Sequence, residues 1–167
     1  MKNWIRFAAI ACAAAAAACS PVSAGAAHQS ATPSANAESL ALSAAGLRII
    51  PLTVITDTGS HTFQVEVAAT PEQQEHGLMF RTTMGADEGM IFPMDPPRRS
   101  AFWMRNTVIG LDIVFIGKDH RVLNVAANAV PYDETPLPSD GLAAAVLELN
   151  AGRAAQIGLR PGSRVSW

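Results

Sequence analysis

The stretch "LDIVFIGKDHRVLNVAA", residues 111–127, decides how the chain reads. Two runs rich in Val, Ile, Leu and Phe flank the turn cluster Gly117-Lys118-Asp119-His120, the pattern of a β-hairpin. In the first run Leu111, Ile113 and Phe115 fall on one face, and Asp112, Val114 and Ile116 on the other. Asp112 is therefore a lone charge on a face that otherwise wants burial, and a carboxylate there needs a partner. Arg81 and Arg105 are the expected partners.

Working outward, "RIIPLTVIT" and "HTFQVEVAA" surround "DTGS" and predict another hairpin. Phe63, Val65 and Val67 alternate with Gln64 and Glu66, as in a half-buried strand with the polar pair outward. "TPEQQEHG" carries a helix start, with Thr70 as N-cap, Pro71 at the first helical position and Gln73 completing a capping box, and Gly77 ends it. "GMIFPM" and "SAFWMRNT" read as strands joined by an exposed loop, "DPPRRS". Toward the C-terminus "AAVLEL" reads as a strand and "NAGRAAQIG" as a short helix capped by Asn150. "RPGSRVSW" turns into a closing strand. Short strands at regular spacing, many Gly and Pro turns and one or two short helices predict a mainly β fold, a compact single-domain β-barrel or sandwich with a roll-like shape.

The chain opens "MKNWIRFAAIACAAAAAACSPVSAGA". A basic start, an Ala-rich apolar run and small residues predict an export signal, since the run falls well short of the ~20 residues of a spanning helix. Two cleavage sites compete. Cleavage after Ala24 makes residues 1–24 the leader; the lipobox-like "AAAC" ends it at residue 18 and leaves Cys19 as a lipidated first residue. Residues 25–46, rich in Ala, Ser and Pro, read as a flexible tether, and 47–167 as the β-rich domain. The expected location is the periplasm, with contact to a membrane only through a lipid on Cys19. Cys12 and Cys19 are the only cysteines, so the domain has neither a disulfide nor a thiolate site. A net charge of −2 and the lack of a basic stripe argue against a nucleic-acid partner.

Five motifs, "GLMFR" at 77–81, "GMIF" at 89–92, "FWMRNT" at 102–107, "LDIVFI" at 111–116 and "VLELNAG" at 146–152, stand in the order and spacing of one family. The body from Phe63 to Val165 resembles the domain of unknown function 192 (DUF192) family. The resemblance implies a mostly β, roll-like domain that is exported or membrane-attached, and leaves its activity open. "PRRS" before Trp103 is longer and more basic than the family pattern.

Candidate chemistry gathers on these motifs. Two readings stand side by side. In one, Asp112 and an arginine form a buried pair that fixes register, while Asn106 and Thr107 cap a turn. In the other, Arg81, Trp103, Met104, Arg105, Asn106, Thr107, Asp112 and Glu148 surround a shallow site for a sugar, a small anionic ligand or an envelope protein partner. Asp112 and Glu148 could instead serve as the acid and base of a glycan-acting enzyme. Met79, Met90 and Met104 offer soft thioethers for Cu(I), although methionine commonly fills cores. None of the familiar nucleophile, zinc or nucleotide motifs is present. A non-enzymatic binding domain without a cofactor is the expectation.

Overall fold

In the computed structural model, which describes residues 41–167, nine strands and two short helices form a curled, half-barrel sheet with a second layer on its outer face. The strands are β1 (Ile49–Thr56), β2 (Gly59–Val67), β3 (Glu88–Arg98), β4 (Ala101–Phe102), β5 (Leu111–Gly117), β6 (Val122–Ala129), β7 (Leu137–Pro138), β8 (Ala143–Asn150) and β9 (Arg164–Ser166). The helices are α1 (Pro71–His76) and α2 (Arg153–Gln156). Seven strands lie in the order β6-β5-β8-β3-β2-β1-β9, and β4 pairs with β7 in a separate ribbon. The mainly β class and the two short helices agree with the sequence reading. The leader, Cys19 and the tether up to residue 40 lie outside the described residues. Residues 41–48 fold back as a hydrogen-bonded turn, with Ile49 N–H donating to Ala41 O at 2.7 Å.

Both predicted hairpins form, β1 with β2 and β5 with β6. The Thr70 capping box is complete: Thr70 Oγ1 accepts from Gln73 N, and the Gln73 side chain accepts from Thr70 N. Helix α1 carries the chain from β2 into β3 as a parallel neighbour, so β3 joins β2 on one side and runs antiparallel to β8 on the other. Gln74 Nε2 donates to Ala68 O and Pro93 O (3.2 and 2.8 Å) and holds α1 against this crossover.

The two edges of the sheet meet at one end. Arg121 bridges to Arg164, Val122 N–H donates to Ser163 O at 2.9 Å, and Val165 N–H donates to His120 O at 2.9 Å. Trp167 stacks on His120 with ring centroids 4.5 Å apart. The inner face holds one core, including Leu52, Phe63, Ile91, Val114, Leu147 and Val165, with Ala154 and Ile157 from the α2 segment packed into it. The outer face holds a second core of Met90, Phe92, Met94, Ile113, Phe115 and Val146, covered by Leu78 and Met104. Strand β5 is buried at all seven positions because it separates the two cores, which explains a near-continuous apolar run in an antiparallel pair. Gly89 of "GMIF" sits where two strands crowd: a Cβ there would lie 2.6 Å from the Glu148 carbonyl oxygen.

Three predicted elements differ. Strand β3 runs on through Asp95-Pro96-Pro97 to Arg98, so much of the expected loop is strand, with a register shift between Pro93 and Arg98. "SAFWMRNT" is not one strand: only Ala101 and Phe102 pair, and Met104 N–H turns away to donate to Asp133 O at 2.7 Å. Asn150 does not cap α2, whose N-cap is Gly152; its side-chain amide donates to Met84 O and Gly85 O. Among the described residues no helix is long and apolar enough to cross a membrane.

Candidate functional site

Asp112 finds no arginine. Its side chain is fully buried; Oδ1 accepts from Asn128 N and Oδ2 from Ala154 N, both at 2.8 Å. The first amide belongs to a bulge. Leu111 pairs with Ala129 and Ile113 with Ala126, so Ala127 and Asn128 together oppose Asp112, and one amide is left without a strand partner. The second amide lies in the first turn of α2, which has no side-chain cap of its own. Asp112 therefore stitches a bulge to a helix start, and the expected pairing with Arg81 or Arg105 is corrected.

The arginines are answered elsewhere. Arg81 Nη2 donates to both carboxylate oxygens of Glu66 (2.8 and 2.7 Å), and Glu66 is buried, not solvent-facing as its alternation suggested. Arg105 Nε and Nη2 donate to Glu134 Oε2 (3.1 and 2.6 Å), and its guanidinium lies 4.5 Å over the Trp103 ring. This hydrogen-bonded pairing holds the Glu134 carboxyl below the usual carboxylate range and raises Arg105.

Glu148 behaves differently from every other acid in the body. On β8 it lies opposite Ile113 and Met90, both members of the outer core. It is 5% exposed, and its Oε2 has no hydrogen-bond partner among the described residues. Burial pushes its carboxyl up to about 8, so the acid is predominantly protonated near neutrality. Asp112 lies opposite Leu149, a member of the inner core. Paired residues on neighbouring strands share a face. The sheet thus separates Asp112 from Glu148, and these two carboxyls do not face each other across one cleft.

Glu148 borders a cavity of about 820 Å³ between the outer face of the sheet, α1 and the segment after β3. Phe92 and Met94 supply apolar surface, Trp103, Arg105, Asn106 and Thr107 one side, and Arg98 and Arg99 the loop that departs from the family pattern. Phe102 packs edge-on against Phe92 and Phe115, with centroids 5.1 and 6.1 Å apart, which fixes the approach of the 100–107 segment. Met104 is the buried anchor of that segment. Asn106 takes a left-handed backbone (φ 54°) at its turn, and Thr107 Oγ1 donates to Arg105 O at 3.2 Å, the turn-capping role expected of it.

Of the predicted site residues, the cavity gathers Trp103, Arg105, Asn106, Thr107 and Glu148 and leaves out Arg81, Met104 and Asp112. Sequence reasoning missed Gln74, His76 and the Arg98-Arg99 pair; only the unusual basic loop signalled the last. The methionine trio is divided: Met79 borders the cavity and accepts from Asn106 Nδ2 at 3.8 Å, whereas Met90 and Met104 are packed in the outer core. Among the described residues no cluster of three or more His, Cys, Asp or Glu is placed to hold a metal ion.

The profile of DUF192, described as "uncharacterized ACR", matches residues 53–167. A crystal structure of a protein of unknown function from Novosphingobium aromaticivorans is 56% identical, with a TM-score of 0.75, over 76% of this chain and 91% of that one. A second crystal structure, described as a candidate transcription regulator from Sinorhizobium meliloti, is 39% identical, with a TM-score of 0.70, over 72% of this chain and 94% of that one. No curated protein matches.

Proposed function

The chain belongs to the DUF192 family, and we propose that it is an exported, non-enzymatic domain that binds a small polar ligand of the sugar class in the Glu148 cavity. The observation that carries this reading is the buried Glu148 carboxyl with an unpartnered oxygen beside an 820 Å³ space. A buried polar atom without a partner costs roughly 1–3 kcal/mol, and a ligand hydroxyl would relieve it. A protonated acid both donates and accepts, which suits a neutral polyol. The exposed Trp103 indole offers an apolar face for a ring, and Asn106 an amide for its hydroxyls.

Thermal shift and chemical-shift mapping with a panel of hexoses and N-acetylhexosamines test it. A binding sugar should raise Tm and perturb Trp103, Asn106 and Glu148; Glu148→Leu should weaken it at least tenfold, and Glu148→Gln should retain most affinity. Perturbations confined to other surfaces, or none with any sugar, would overturn it. A second reading, a small anionic ligand, is favoured by Arg98 and Arg99 at the rim. Tighter binding of a uronic acid than of its parent hexose would select it.

The description of the Sinorhizobium relative concerns that protein, and a nucleic-acid partner gains no support from a chain of net charge −2. Export rests on the first residues of the sequence and is part of the proposal. Mass spectrometry of the mature protein separates an acylated Cys19 from a chain beginning at Gly25.

A further inference from the structure

Five non-glycine residues of the described chain have positive φ, and two have evident structural causes: Asn128 sits in the bulge that Asp112 satisfies, and His120 turns the β5–β6 hairpin. The other three are neighbours. Phe80 (φ 63°) donates its N–H to Asn106 O at 2.9 Å, Asn106 has φ 54°, and Tyr132 (φ 65°) donates its N–H to Thr107 O at 3.3 Å. Asparagine tolerates this backbone, but for a bulky L residue it is strained by about 1–2 kcal/mol. Burial gives no compensation: Phe80 is 63% exposed and Tyr132 62%. Local strain that packing does not offset is a pointer to function.

The residues that anchor them, Asn106 and Thr107, border the Glu148 cavity, as does His76, whose ring centroid lies 6.2 Å from that of Phe80. Trp103, 48% exposed, stands on the same segment. Of the four strongly exposed aromatic residues in the described chain, only Trp167 lies elsewhere, at the His120 seam. The Arg105 charge beside Trp103 is already answered by Glu134, so the cation stacked on the ring seeks no anionic ligand.

We propose that Phe80, Trp103 and Tyr132 form a shelf at the mouth of the Glu148 cavity that docks a neutral, β-1,4-linked oligosaccharide, one end of which enters the cavity. The inference rests on the sugar reading of that cavity and extends it from a single ring to a chain. Equatorial β-1,4 links make a flat ribbon that presents apolar ring faces in succession, which fits side chains displayed on separate loops. Trp103 borders the cavity itself, and Phe80 and Tyr132 are tied through their backbone amides to Asn106 and Thr107, which border it too; with Arg105 neutralised by Glu134, this placement favours a neutral occupant over an acidic partner.

The test titrates the protein with N-acetylglucosamine and its β-1,4 oligomers of two to six units, and with cellohexaose, by calorimetry. Affinity should rise at least tenfold between one unit and the hexamer of one series. Phe80→Gly with Tyr132→Gly removes both rings and relieves both backbone strains, so the variant should fold at least as well as the parent, as circular dichroism would verify. In it the hexamer-to-monomer affinity ratio should fall toward one. Monomer binding without length dependence, or an undiminished ratio in the variant, overturns the shelf and leaves the cavity reading standing. Absence of binding by any monomer or oligomer, with no perturbation at Glu148 or Trp103, overturns both.

Discussion

Asp112 and Glu148 sit on adjacent strands of one sheet, within one step of register, and they have opposite fates. Asp112 faces the inner core and spends both carboxylate oxygens on backbone amides. Glu148 faces the outer core and leaves one oxygen without a partner beside a cavity. The difference lies in what each face meets. The inner face closes on itself through the β6–β9 seam and α2, and a charge persists there only by completing hydrogen bonds that the backbone needs. The outer face is covered by α1 and the irregular segments around Leu78 and Met104, which leave a cavity. A buried carboxyl is thus a fold device on one side of the sheet and, on the reading proposed above, a candidate ligand contact on the other.

The strongest way to break this comparison is Asp112→Ala. It would orphan the Asn128 and Ala154 amides in a closed core, and hydrogen bonds to a charged acceptor are worth about 1.5–3 kcal/mol each. A loss of roughly 3–5 kcal/mol in denaturant unfolding is expected. A loss below ~1 kcal/mol would mean the bulge and the helix start do not depend on it.

Glu148 should respond in the opposite sense. Its folded-state value, about 8, lies above its usual 4.5, so the native state keeps a proton that the unfolded chain has released. Its contribution to stability is complete below 4.5, declines as pH rises, and is gone above about 8. Glu148→Gln keeps the neutral shape and removes this slope. Between pH 5 and pH 8 the stability of the wild type should therefore fall relative to that of Glu148→Gln by a few kcal/mol, of the order of 1.4 kcal/mol per pH unit. Parallel pH profiles of the two proteins would show that Glu148 is not held neutral.

Much of the fold was legible because hairpin patterning and the Thr70 capping box are local signals that burial reinforces. The family motifs located the cavity-lining segment as well. What escaped was non-local. Asp112 was legible as buried and in need of a partner, but the partners came from backbone: the bulge amide of Asn128, sixteen residues along the chain, and the helix-start amide of Ala154 in "NAGRAA", forty-two residues along, neither of which carries a side-chain signature. Glu66 was misassigned because alternation marks which face a residue takes, not whether a second layer covers that face. Here α1 and the segment after it cover the outer face, so Gln64 and Glu66, alike in pattern, differ in burial. The "FWMRNT" segment looked like a strand by composition, yet its apolar residues anchor a loop from below, Met104 inward and Trp103 outward.

The smallest expected effect sharpens the comparison most. Arg105, which borders the cavity, pairs with Glu134, but their side chains are 47% and 54% exposed, and exposed pairs contribute little to stability because water screens them and side-chain entropy opposes them. Arg105→Ala and Glu134→Ala should each leave the unfolding midpoint unchanged within error, at low and at high salt. If Arg105→Ala nevertheless altered sugar affinity, the residue would act through the Trp103 face it covers and not through the fold. That outcome would place the outer layer, unlike the inner core, under the control of residues whose removal the fold does not register. A clear loss of stability would instead make the pair a structural clasp between the 100–107 and 130–137 segments, and the division between the two faces of the sheet would narrow.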